Sequence, residues 1–126
     1  MPDAHDERSG NGSRAAAISN GTVRLLNEYT GRGPTRARTY INDQLVSIVL
    51  RDGLTKGERS LVTDGESALV LDMRKAFQRT MRDDLVALVE DVTGGTVIAF
   101  LSANHIDPDI AVETFVLEGN HEEEHA

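Results

Sequence analysis

Two short stretches hold the residue types that chemistry needs. In "FLSANHIDPDIAVETFVL", residues 100–117, His105, Asp107 and Asp109 stand at alternate positions around Pro108. On a β-strand that spacing puts three side chains on one face, as a metal site or an acid/base set requires. Pro108 interrupts a regular strand, and Asn104 with Asp107-Pro108 supplies turn chemistry, so the alternative is a structural connector of about five to seven residues between two strands. In "GRGPTRAR", residues 31–38, Arg32, Arg36 and Arg38 sit among two glycines and a proline. Guanidinium groups on a Gly-rich turn would cradle phosphate, carboxylate or bicarbonate. The stretch lacks the Gly-Lys-Ser/Thr ending of a phosphate-binding loop, and it follows a helix C-terminus, whose partial charge is negative. The alternative here is a helix cap and a turn leading into a strand whose outward face carries Arg36, Arg38 and Tyr40.

The other polar clusters lead away from catalysis. Asp83-Asp84 and Glu90-Asp91 are neighbours on a helical segment, where adjacent side chains diverge by about 100° and do not share a substrate. His5, His121 and His125 lie near the chain ends, leaving His105 as the one histidine inside the fold. No serine occupies a Gly-x-Ser-x-Gly elbow, and no kinase or metalloprotease signature occurs. With no cysteine, disulfides, thiolate nucleophiles and Cys-ligated metal sites are excluded. The expectation is a protein without cofactor, bound metal or catalytic residues.

The elements that must position these residues belong to one domain of ordinary size, since the chain has 126 residues. Its net charge of −8 is concentrated at the ends: Asp3, Asp6 and Glu7 against Arg8 leave residues 1–13 at −2, and Glu122, Glu123 and Glu124 leave residues 119–126 at −3. Both ends lack the apolar surface that offsets ordering entropy, so disordered tails over 1–13 and 119–126 are expected around a domain at 14–118. An acidic chain without a basic stripe is a poor nucleic-acid binder. No run of about 18 apolar residues and no basic-then-apolar start occurs, which points to a cytoplasmic chain without a membrane span.

Periodicity supplies the architecture. Ile18, Thr22, Leu25, Leu26 and Tyr29 return at spacings of three and four, predicting a helix over 14–30 that Gly31 caps. "RARTYI" and "LVSIVL" flank "NDQ" as a hairpin, with strands near 35–41 and 45–51. Thr55-Lys56-Gly57-Glu58 fits a capping box opening a short helix. Leu69, Met73, Phe77, Met81, Leu85, Leu88 and Val92 form a stripe along a helix over 66–93, which would extend roughly 40 Å. Such length calls for a bend near Arg82-Asp83-Asp84 or for a second subunit against the stripe, and a homo-oligomer, a dimer first, is expected. Gly94-Gly95 ends this helix, and strands follow near 96–102 and 110–118. The order α-β-β-α-α-β-β predicts a two-layer α+β fold, a four-stranded, mainly antiparallel sheet with its helices on one face. The matched "TG" helix ends, Thr30-Gly31 and Thr93-Gly94, also allow an internal α-β-β duplication.

Residues 18–50 and 89–118 resemble the MpsC-like family of small bacterial proteins. The resemblance is carried by "GRGP" at Gly31–Pro34, "AFLS" at Ala99–Ser102, "DPD" at Asp107–Asp109 and "FVLE" at Phe115–Glu118. In that family the arginine of "MR" is often followed by proline, where this chain has Asp83. The resemblance implies a link to a sodium-translocating, membrane-potential-generating system, in which a chain of this kind would act as an accessory or regulator beside a membrane-protein partner. It implies no catalytic residue. A small-anion or nucleotide sensor built on the Gly31–Arg38 turn is the alternative function.

Overall fold

The structure, a computed structural model, describes residues 4–31 and 36–119, with side chains from Gly10 onward. The elements are α1 (Ala4–Thr30), β1 (Arg36–Asn42), β2 (Leu45–Arg51), α2 (Lys56–Thr63), α3 (Ser67–Thr93), β3 (Val97–His105) and β4 (Ile110–Leu117). They follow the expected α-β-β-α-α-β-β order. All pairings are antiparallel, and the sheet runs β1-β2-β4-β3. The two α-β-β units therefore lie symmetrically about the β2/β4 pair, a placement that does not by itself demonstrate a duplication.

Both long helices cover one face of the sheet. Ile18 of α1 and Met81, Leu85 and Val89 of α3 join Val46, Ile48, Leu50, Phe115 and Leu117 in a single buried core. α1 and α3 run antiparallel, because Gly21 faces Leu88 at one end while the Tyr29 hydroxyl donates to Asp84 Oδ2 at 2.6 Å at the other. A Cβ at Gly21 would stand 2.7 Å from Leu88 Cδ1, so this glycine lets the helices approach closely.

The local signals perform as their chemistry dictates. The Thr55 hydroxyl accepts from the Glu58 N–H at 3.1 Å, and the Glu58 carboxylate accepts from the Thr55 N–H at 2.8 Å, completing the capping box. Gly94 closes α3 at φ 75°, a left-handed cap that a side chain would strain.

Four expectations need correction. α1 begins at Ala4 instead of Arg14; Ala15, Ala16 and Ala17 are strong helix formers. Helical backbone thus enters the segment expected as an N-terminal tail, and residues 120–126 lie outside the described residues. The β1–β2 connector is Asp43-Gln44, because Asn42 still pairs with Leu45 and Asp43 turns the chain at φ 54°. The β3–β4 connector is shorter than five residues, spanning only 106–109, since the ladder continues through Asn104↔Ala111 and His105↔Ile110. Finally, the stripe on α3 rotates. Its C-terminal half is buried as expected, but in its N-terminal half Val70 and Gln78 are buried while Leu69 and Phe77 are exposed. α3 is continuous from Ser67 to Thr93.

Candidate functional site: a buried carboxyl at the end of a cavity

Strand alternation puts a carboxylate in the core. In β4 the residues Ala111, Glu113, Phe115 and Leu117 point toward the helices, and Glu113 is only 2% exposed. Its neighbours in the same row are Ile48 of β2 and Ser102 of β3. The polar residues of α3 turn inward to meet it. Gln78 Nε2 donates to Glu113 Oε1 at 2.8 Å and to Asn104 Oδ1 at 3.0 Å, while Asn104 Nδ2 donates back to Gln78 Oε1 at 2.9 Å. The Ser102 hydroxyl donates to Glu113 Oε2. Burial raises the Glu113 pKa to about 7, and the Ser102 and Gln78 hydrogen bonds and the Arg74 charge only partly offset that. Both charged and neutral forms are thus present near neutral pH.

Arg74, one turn before Gln78, is held more loosely. Its Nε lies 3.9 Å from Glu58 Oε2 and its Nη2 3.7 Å from Asp109 Oδ1, and Arg74 Nε and Asp109 Oδ1 are buried without a hydrogen-bond partner. The two carboxylates are anchored by backbone: Glu58 by the capping box, and Asp109 Oδ2 by the Leu54 N–H at 2.7 Å. Arg74 therefore ties the start of α2 and the β3–β4 connector to α3.

These groups surround a cavity of about 250 Å³ between the sheet, α3, the start of α2 and the end of α1. Glu113, Gln78, Asn104 and Arg74 form its polar end; Leu26, Leu50, Met73, Met81 and Phe77 supply apolar wall. Phe77 is 38% exposed.

The sequence-derived candidates fall elsewhere. Arg32 lies outside the described residues. Arg36 and Arg38 alternate on the helix-free face of β1; Arg36 Nη2 lies 3.5 Å from Asp52 Oδ2, and the Arg38 guanidinium lies 5.5 Å over the Tyr40 ring. Arg51, which the sequence reading passed over, stands directly across from Arg36. His105, Asp107 and Asp109 do not converge. The exposed His105 sits at the end of β3, its Nδ1 2.8 Å from the Pro108 carbonyl oxygen. Asp109 turns toward Arg74. The Asp107–Pro108 peptide is cis. Among the described residues no group of three His, Asp or Glu side chains is placed to hold a metal ion. Arg36 and His105 do not meet either: they end the same row, Arg36–Arg51–Ile110–His105, on opposite edges of the sheet. Three strand spacings separate them, roughly 14 Å.

The fold and cavity define a two-layer α+β domain with a largely apolar pocket, polar at one end, between its sheet and helices, and among the described residues no helix is long and apolar enough to cross a membrane. The chain belongs to the MpsC family, described as "Na+-translocating membrane potential-generating system (MpsC)", which it matches over residues 11–119. No curated protein and no solved structure matches it.

Proposed function

We propose that the chain is a non-catalytic accessory protein of the Na+-translocating system for which its family is named, working in the cytoplasm as a homodimer closed over the helix-free face of its sheet. The observation that carries this reading is that face. Leu45, Val49, Leu101, Val112 and Val116 alternate onto it, with Tyr40, and the helices cover only the opposite side. Leu45 is 44% and Leu101 57% exposed, whereas a sheet with one water-facing side normally places polar residues there. A second copy is the occupant that fits. Four strands of about seven residues present on the order of 400 Å² in projection, which side-chain relief carries toward the roughly 800 Å² per partner of a standard interface. Flat faces of β-branched residues stack as in a β-sandwich, about 10 Å apart. A two-fold arrangement places the arginine end of each sheet over the Asn42–Leu45 end of the other, where Asp43 is the charged residue of the turn, avoiding like-charge contact.

The role is tested by measuring Na+-dependent membrane potential in everted vesicles from cells with and without the chain. The expected result is a loss of the Na+-dependent component that wild type restores and Leu101→Lys/Val112→Lys does not. Full potential in the absence of the chain would overturn the accessory role.

A second reading, an anion sensor, draws on Arg36, Arg38 and Arg51. Like charges directly opposite on a sheet repel, and an anion relieves that repulsion. It predicts that phosphate, bicarbonate or a nucleotide raises the melting temperature, and that Arg36→Ala with Arg38→Ala abolishes the shift.

A further inference from the structure

We infer that the cavity under the sheet is a binding site for a small organic ammonium ion, whose charged head pairs with Glu113 and whose apolar body lies against Leu26, Met73 and Met81. Charge is the first argument. Among the described residues the charged groups facing the cavity are Glu113 from β4, Glu58 from α2 and Arg74 from α3, with Asp109 of the connector behind Arg74. Arg74 is shared between Glu58 and Asp109, so with Glu113 ionised the three carboxylates outnumber the one guanidinium and the site repels anions. Glu113 itself has only neutral donors, the Gln78 amide and the Ser102 hydroxyl. Each of its oxygens accepts one hydrogen bond and keeps a free lone pair for an N–H donor.

Shape and lining exclude the simpler cations. A bare alkali ion needs a cage of oxygens on all sides, whereas here Glu113, Gln78 and Asn104 gather theirs at one end of the cavity. Most of the remaining wall is aliphatic, methionine or aromatic, which suits an alkyl or aryl body. Phe77 adds an aromatic ring to that wall, of the kind to which a cation is drawn. The volume of about 250 Å³ limits the ligand to a small molecule. Binding of an ammonium requires the ionised carboxyl, so a proton leaves Glu113 for the buffer as the ligand enters. The inference does not depend on the accessory role proposed above.

The test is calorimetry on the full chain with benzylammonium as probe, and with benzyl alcohol and sodium chloride as controls. Benzylammonium is expected to bind with a dissociation constant that tightens about tenfold from pH 6 to pH 8, as Glu113 passes from mostly neutral to mostly ionised. At pH 7 the heat should vary with the ionisation enthalpy of the buffer, and Glu113→Gln should abolish binding while circular dichroism stays unchanged. Should Glu113→Gln fail to fold, Phe77→Ala at the partly exposed ring gives the second readout, a severalfold weaker affinity with the pH dependence retained. No heat from benzylammonium with folded wild type, equal affinity for benzyl alcohol, a saturating heat from Na+ alone, or unaltered binding by Glu113→Gln or Phe77→Ala would each overturn the assignment.

Discussion

Burial of Glu113 gives this fold a pH-dependent contribution to stability. The folded Glu113 pKa of about 7 stands above the ordinary 4.5, so between those values the folded state holds a proton that the unfolded chain has released. The Glu113 contribution to stability is then complete below about 4.5, falls as pH rises and is lost above about 7, on the order of 3 kcal/mol in all. Wild type is expected to melt at a higher temperature at pH 5 than at pH 8, and Glu113→Gln, which cannot ionise, should flatten that slope; a slope unchanged in the variant would mean that other groups govern it. Arg74 lowers the Glu113 pKa through its charge. Arg74→Met should therefore move the Glu113 midpoint upward in a carbon-13 NMR titration, and a downward shift would contradict the arrangement. Little of this site was legible in the sequence. Glu113 stands in a run, "IAVETFVL", whose two alternating sets are almost equally apolar, so the letters do not say which set faces the helices. Arg74 and Gln78 lie four apart on α3, but the more apolar Met73 and Phe77 stripe beside them masked that inward polar pair.

At the scale of elements the sequence was more informative, because caps act within a few residues. The capping box at Thr55 and Glu58 and the glycine at position 94 are the expected ones. Thr55→Ala removes the acceptor for the Glu58 N–H and should cost about 1 kcal/mol, read as a lower urea midpoint. Since Glu58 also faces Arg74, the same change should loosen the start of α2 against α3. At the place where a bend was one of two alternatives, Asp83 and Asp84 continue the helix without a break, and Asp84 accepts the Tyr29 hydroxyl of α1. That hydrogen bond, together with the neighbouring acidic charges, keeps the Tyr29 phenol above its ordinary pKa. The added length of α3 is matched by an equally long α1 alongside it, a partner within the same chain that periodicity over 14–30 understated.

For the whole molecule, strand order was the part that local pattern leaves open. Two hairpins joined through helices can meet by either strand, and pairing β2 with β4 puts the two most apolar strands at the centre, leaving β1 and β3 as edges. The choice also fixes that Arg36 and Arg38 of β1 and His105 of β3 lie on opposite edges of the sheet. It leaves one sheet face under the helices and the other bare, and on that bare face the proposed dimer depends. Sedimentation equilibrium of wild type beside Leu101→Lys/Val112→Lys tests this most directly. Wild type is expected at close to twice 13.7 kDa and the variant, with unchanged circular dichroism, at 13.7 kDa. Wild type at 13.7 kDa at every concentration, or a variant that stays dimeric, would contradict it.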